Sequence, residues 1–575
     1  MTRPALFALL CCGFCLGQGA YLTSKVKIPM RDGVGLSANI FRAKAASKLP
    51  TILVRTPYNK GATLGSGYRL FVENGYAVVV QDVRGKYESE GVFNSHDQEA
   101  PDGEDTLEWI AKQSWSDGQV GMVGGSYLGI VQWKLALLNN PHLKAIFPIV
   151  SGNDDYRDRF YSRGGALKVG NRLSWMAGNL RAPDFKPDFA SYVRSLPLRL
   201  ADIAATGQVS KLYYQPVMEH PTFDEFWKAR SVREHLRDMK IPVFSVGGWY
   251  DNFVEGDLES FSELRRAGKL AYSAIGPWPH NMSTPFEGVS FGTDSTLPVA
   301  KLQLEWFNHW MKNSAQTKPF PGPKLRIFVL GRNKWRDENE WPLKRAKVTS
   351  YFLSSKRGAN SLNGDGVLLP RPLASDHQDS YEYDPANPAP TIGGAVCCSP
   401  AIFPWGPKDQ RKVEGRKDIL VFSSGVLKKE VEVTGPIDLI LYASTSFSDT
   451  DFTAKLVDVF PDGTARNLCD GILRIRYRES LSKPVLAEPG KIYKLRIETG
   501  VTSNVFLPGH KIRVEVSSSN FPRFDRNLNT GGSIVDETRM QVAKQTIYHG
   551  KKYPSRILLP IVPVPGALTA KGSVP

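Results

Sequence analysis

The run Val120-Gly121-Met122-Val123-Gly124-Gly125-Ser126-Tyr127-Leu128-Gly129 joins a mostly apolar stretch to a helical pattern over 128–138, with glycines and a serine at the junction. Strand, tight turn and helix in that order lift a serine hydroxyl above a sheet edge, the setting of a nucleophile. The N–H of Tyr127 would open the helix, where the dipole favours negative charge developing on an oxyanion. The glycine that usually stands two residues after such a serine is displaced: Leu128 holds that place and Gly129 follows it. The same residues would also suit a plain glycine-rich turn with a helix-capping serine.

A serine nucleophile needs a base, and the base needs an acid that orients it. In an open parallel sheet both sit just past the C-terminal ends of later strands, because that edge forms the crevice. Asp251 follows the apolar run 241–246 and His280 follows 270–275. Among nine histidines, His96, His142 and His309 compete: His96 precedes the serine, His142 follows a helix end and His309 falls mid-helix. Asp257 is the second choice of acid, although its place near a helix start suits a cap. Ser126, Asp251 and His280 stand in the chain order of α/β-hydrolases. Tyr58, just past the run 51–55, lies at the right sheet edge for its phenol to join the Tyr127 N–H as an oxyanion donor; a packed surface aromatic is the other reading.

The elements that must position these residues alternate. Strand patterns at 25–30, 36–41, 51–55, 76–80 and 145–150 are interleaved with helical patterns at 69–74, 104–113 and 128–138. That alternation predicts a parallel sheet with crossover helices. Strand signals vanish over 152–240, which reads as an inserted helical segment, and then resume. Beyond Pro319 short strands separated by Pro, Gly and Asp clusters predict an all-β unit. The expected division is a signal peptide (1–20), an α/β unit in two parts (21–151 and 241–318), a helical cap (152–240) and a jelly-roll β-sandwich (319–575). The fold class is α/β plus β.

Length, at 575 residues, requires more than one core. The formal net charge of +16 raises the question of nucleic acid, but the basic residues are scattered and no zinc-finger or RNA-binding spacing is present. The alternating Arg474, Arg476 and Arg478 suggest one face of a strand. Arg3, the apolar run 5–16 and the small residues Gly17, Gly19 and Ala20 read as a cleavable signal, too short to span a bilayer. Export is therefore expected, to the periplasm or medium if the source is bacterial, with no later membrane span. Outside the signal stand Cys397, Cys398 and Cys469. One bridge, from Cys469 to either of the others, is allowed; no histidine sits at metal-ligand spacing, so no metal and no cofactor are expected. Homo-oligomerisation is left open.

Taken together, residues 124–129, Arg55-Thr56-Pro57-Tyr58, Asp82-Val83-Arg84-Gly85 with Ser89, Gly91 and Phe93, Gly248-Trp249-Tyr250-Asp251 and Gly276-Pro277-Trp278-Pro279-His280 resemble the cocaine esterase and X-Pro dipeptidyl-peptidase superfamily. The stretch Asp409-Gln410-Arg411, with Glu414, Arg416 and Asp418-Ile419-Leu420, is similar to a family signature in the second unit. The resemblance covers nearly the whole chain after the signal. It accounts for the displaced glycine and matches Tyr58 to the oxyanion tyrosine. It implies a serine hydrolase of acyl esters, amides or X-Pro peptides, with an α/β-hydrolase domain, a helical cap and a jelly roll. The α-amino acid ester hydrolases that the chain resembles carry Glu-Asp two and three residues after the acid, to bind a substrate ammonium. Phe253 and Val254 stand there here. With Trp249 they are expected to line an apolar acyl pocket, favouring an esterase or acylase over an X-Pro dipeptidyl-peptidase. Asp154, Asp155 and Asp158 read as a solvated loop at the cap entrance. The expected partner is a small ester, amide or short peptide; a catalytically silent carbohydrate- or surface-binding protein is the reading of another class.

Overall fold

The computed structural model describes residues 21–44, 47–95, 97–312 and 319–563, so the expected signal peptide lies outside the described residues. Among these, ten strands form one sheet: β1 (Tyr21–Pro29), β2 (Gly35–Ala43), β3 (Leu49–Thr56), β4 (Ala77–Asp82), β5 (Ser116–Gly125), β6 (Leu143–Ile149), β7 (Val243–Tyr250), β8 (Ala271–Pro279), β9 (Leu325–Val329) and β10 (Lys334–Glu338). Their order is β1-β2-β4-β3-β5-β6-β7-β8-β9-β10. The pairings from β4 through β9 are parallel, and antiparallel strands close both ends.

Near-continuous apolar runs make these strands because both faces of the sheet are covered. Met122, Ile146 and Val243 face one core with the helices Glu99–Ala111, Tyr127–Ala136 and Val254–Arg266. Their neighbours Val123, Phe147 and Phe244 face the other, with Phe71, Trp306 and Phe307. The segment between β6 and β7 carries short helices, among them Val169–Asn179, and no strand of the sheet. No helix among the described residues is long and apolar enough to cross a membrane.

Eleven further strands among the described residues form a second sheet, one continuous path from His377–Tyr383 to Ala465–Arg474, with Tyr493–Phe506 paired to the long Val431–Thr445. Two sequence readings change here. The strand at 325–329, assigned to the second unit, pairs in parallel with β8, and 334–338 extends the first sheet. A five-residue apolar run looks the same in either unit, and only its partner decides where it goes. Arg474, Arg476 and Arg478 do not share a strand face either. The strand ends at Arg474 and a single helical turn, Ile475–Tyr477, follows.

Arg474 is fully buried, bidentate to Asp451 at 2.9 Å through both Nε and Nη2 and bonded to Asp525 at 2.9 Å. Asp525 also accepts from the Leu167 N–H (2.7 Å), and the Arg474 N–H donates to Gly164 O (3.0 Å). The inserted segment is thus tied to the second sheet through one charged cluster. Replacing Arg474 by Leu strands two buried carboxylates and is expected to cost about 3–5 kcal/mol, read as a lower urea midpoint at unchanged slope.

Candidate active site

β5 ends at Gly125, and Ser126 follows with φ 57° and ψ −123° ahead of the helix Tyr127–Ala136. Its N–H donates to Ile149 O (2.8 Å), so the turn is pinned to the end of β6. Gly124 sits at φ 137°, where a Cβ would lie 2.5 Å from Leu128 Cβ. A Cβ on Gly129 would lie 2.6 Å from Ser151 Cβ. The displaced glycine now has a cause: the helix packs against the chain beyond β6 at position 129, while Leu128 fills the space over Gly124.

Asp251 and His280 follow β7 and β8 directly. The register pairs Tyr250 with Pro279, so the next residue of each strand falls side by side. His280 Nδ1 is 2.6 Å from Asp251 Oδ2, and Asp251 Oδ1 accepts from the Phe253 N–H at 3.0 Å. The carboxylate is fully buried and the imidazole half-buried, with the Phe253 ring 5.6 Å away, centroid to centroid. His142 instead meets Gly118 O at 2.9 Å, and His96 lies outside the described residues. Asp257 is no cap: it lies within its helix, buried, with Oδ1 accepting from the Gly152 N–H (3.2 Å) and Oδ2 without a partner.

Tyr58 is 37 % exposed, yet its hydroxyl is engaged. The Trp175 Nε1–H donates to it at 2.9 Å, and Tyr58 lines one cavity with Ser126. With one lone pair taken by Trp175, the phenolic proton is left to point toward the serine side. Burial raises the Tyr58 pKa, against the pull of its hydrogen bonds and two nearby arginines, so it stays a neutral donor. Tyr127 donates its hydroxyl to Glu99 Oε1 (2.7 Å), and Glu99 pairs with the buried Arg55 at 2.8 Å.

A cavity of about 50 Å³ is lined by Ser126, Tyr58, Tyr127, Ile130 and Phe253, with Arg159, Asn171, Arg172, Trp175, Asn252, Cys397 and Cys398 completing its wall. Of the three expected pocket residues only Phe253 lines it. Trp249 lies in the core, its Nε1–H donating to Phe328 O (2.7 Å) and its ring 6.0 Å from Trp341. Val254 opens its helix and is buried in the same core. Side chains along a strand and the turn after it alternate direction, so nearness in sequence to Asp251 did not mean nearness to the cavity.

The disulfide expectation also fails: Cys397 and Cys398 bridge each other and Cys469 is a buried free thiol. The bridged pair is held to the cavity by Asn171, whose Oδ1 accepts from the Cys397 N–H (3.4 Å) while its Nδ2 donates to Asn252 Oδ1 (2.6 Å). Nor are Asp154, Asp155 and Asp158 solvated; all three are buried. Asp154 caps a wide helical turn over Asp155–Phe160, Asp155 binds Lys134 (2.8 Å) and Arg159, and burial pushes Asp158 up to about 6.

This geometry belongs with what the chain is similar to. Residues 32–282 match the X-Pro dipeptidyl-peptidase (S15) family, and residues 321–558 match the X-Pro dipeptidyl-peptidase C-terminal non-catalytic domain. The chain is 42 % identical over 570 residues to a cocaine esterase of Rhodococcus sp. (strain MB1 Bresler), covering 94 % of this chain and 98 % of that one. Among solved structures, an aminopeptidase from a marine sediment archaeon, Thaumarchaeota archaeon, superposes with a TM-score of 0.84 at 27 % identity, covering 95 % and 97 % of the two chains. An α-amino acid ester hydrolase does so with a TM-score of 0.82 at 28 % identity, covering 97 % and 98 %. The protein is a hydrolase of the serine type with an α/β-hydrolase-like unit and a C-terminal unit of mostly strands. It belongs to the X-Pro dipeptidyl-peptidase (S15) family.

Trp175, Arg159, Arg172 and the bridged cysteines are the site residues that sequence reasoning missed. The adjacent cysteines were a visible signal, weighed only for metal and for pairing with Cys469. The others carried none, because a helix in an inserted segment does not announce which face meets the serine.

Burial, with the Asp251 charge next in weight, raises the Asp257 carboxyl well above its ordinary range. The folded chain therefore keeps a proton that the unfolded chain releases above the usual carboxylate pKa, and stability falls as pH rises from there. Asp257→Asn is expected to melt above the parent at pH 8, with the gap shrinking toward pH 4. A gap that widens on acidification would contradict the buried neutral acid.

Proposed function

We propose that this protein hydrolyses carboxylic ester or amide (acyl) bonds through an acyl-enzyme on Ser126. The observation that carries the reading is the convergence at one sheet edge of a serine on a left-handed turn, a phenol lining the same cavity, and an imidazole held at 2.6 Å by a buried carboxylate. His280 takes the Ser126 proton as the hydroxyl attacks and returns it to the leaving alcohol or amine. Water then repeats the sequence in reverse, so one water is consumed and one acid and one alcohol or amine are released. Asp251 fixes the imidazole with Nδ1 protonated and supports its positive form. The Tyr58 hydroxyl and the Tyr127 N–H face the oxyanion.

In this reading 152–240 acts as a cap, since Arg159, Asn171, Arg172 and Trp175 contribute to the wall over the serine. The C-terminal unit is read as a jelly roll that supplies Cys397 and Cys398. Residues 1–20 are read as an export signal, which N-terminal sequencing of the mature protein tests.

Release of X-Pro dipeptides is the alternative suggested by the family's own description. It requires an anionic clamp for an N-terminal ammonium, and none of the described residues lining the cavity carries a carboxylate. Initial rates on p-nitrophenyl butyrate and Ala-Pro-p-nitroanilide separate the two. The ester is expected to turn over and the anilide not; efficient anilide cleavage would reverse the assignment. Ser126→Ala is expected to lower kcat by about 10⁶-fold and Asp251→Asn by about 10⁴-fold. Tyr58→Phe, which removes one oxyanion donor, should lower it by about 10²–10³-fold with fluorophosphonate labelling of Ser126 retained.

A further inference from the structure

Arg159 and Arg172 both line the cavity beside Ser126, and none of the described residues lining it carries a carboxylate. Arg159 is 7 % exposed and Arg172 6 %. Arg159 is ion-paired with Asp155, but Asp155 is shared with the buried Lys134. Arg172 has no carboxylate within ion-pair distance among the described residues. Its Nη2–H donates to Leu212 O at 3.3 Å, its guanidinium lies 4.1 Å from the Phe160 ring centroid and 5.1 Å from that of Trp175, and its Nε is buried without a partner. The neighbouring small cavity that Arg172 also borders is lined by two carboxylates, Asp155 and Asp97, and Asp97 is taken by Arg230 through two bonds of 2.7 and 3.0 Å.

A buried cation without a counter-charge is costly, and an arginine does not escape the cost by losing its proton at ordinary pH. Burial lowers Arg172 to about 10 and Arg159 to about 9, and each still carries its charge at neutral pH. Carbonyl and aromatic contacts offset part of this cost for Arg172 but leave its buried Nε without a hydrogen-bond partner among the described residues. The complement of a planar guanidinium fork is a carboxylate.

We propose that the Ser126 cavity selects substrates whose acyl part ends in a carboxylate, such as monoesters or monoamides of short dicarboxylic acids, with Arg172 as the carboxylate-binding residue and Arg159 reinforcing the field. The proposal rests on the Ser126 reading above and deepens it. The reaction is the same hydrolysis: a half-ester and one water yield a dicarboxylate and an alcohol. The same two charges repel an ammonium, which sets this cavity against substrates with a free N-terminal amine.

The test compares monomethyl succinate, glutarate and adipate with their dimethyl esters, using wild type, Arg172→Gln and Arg172→Lys, with rates normalised to sites titrated by a fluorophosphonate. Wild type is expected to prefer the charged half-ester at its best chain length by at least tenfold in kcat/KM. That ratio should fall at least tenfold in Arg172→Gln, mainly through KM, and recover in part in Arg172→Lys. Preference for the neutral diester at every length in wild type would overturn the proposal without any variant needing to fold. So would an unchanged ratio in Arg172→Gln. Turnover that survives Ser126→Ala would instead bring down the nucleophile assignment on which the proposal stands, so the two failures are distinguishable.

Discussion

Ser126 holds a left-handed backbone that side chains rarely adopt, at a local cost on the order of 1–3 kcal/mol. What keeps it there is close packing on both sides of the turn. Its N–H is bonded to Ile149 O, Leu128 fills the space over Gly124, and Gly129 lies against Ser151. None of these contacts tolerates an added methyl group on the glycines without displacement, so the helix after the serine has one seat. The rest of the site is arranged around that seat: β7 and β8 carry Asp251 and His280 to the same edge, and the segment after β6 brings Trp175 to Tyr58.

The second constraint is charge in the interior. The chain carries a formal net charge of +16, yet among the described buried residues carboxylates outnumber basic side chains. Away from the serine, Arg474 is paired with Asp451 and Asp525, and Arg55 with Glu99. Beside Ser126 Arg159 pairs with Asp155, while Arg172 is met by a carbonyl and aromatic faces. The contrast between Arg474, which meets two carboxylates, and Arg172, which has none within ion-pair distance among the described residues, is what makes the interior charge a statement about ligands.

The C-terminal unit is part of the same argument. Gly164, Leu167 and Gly170 of the inserted segment are bonded to Arg474, Asp525 and Pro522 of the second unit, which also lends Cys397 and Cys398 to the cavity wall. A description of the family's second domain as non-catalytic is compatible with this: it contributes shape and support rather than reacting groups.

Much of the arrangement was legible from residues alone. The alternation of apolar runs and helical periods implied a covered parallel sheet, and the positions of Ser126, Asp251, His280 and Tyr58 each fall at the end of a strand because apolar runs stop where the sheet meets its crevice. Local pattern and chain order determine those features, since they depend on neighbours a few residues away. The strand at 325–329 had to wait for the structure to find its partner, as did the burial of Asp154, Asp155 and Asp158, the turning of Trp249 and Val254 into the core, and the bridging of Cys397 to Cys398. So did the two arginines that line the serine's cavity. These were decided by tertiary structure alone, because direction, burial and counter-charge are properties of what packs against a residue, and those partners lie tens to hundreds of positions away along the chain.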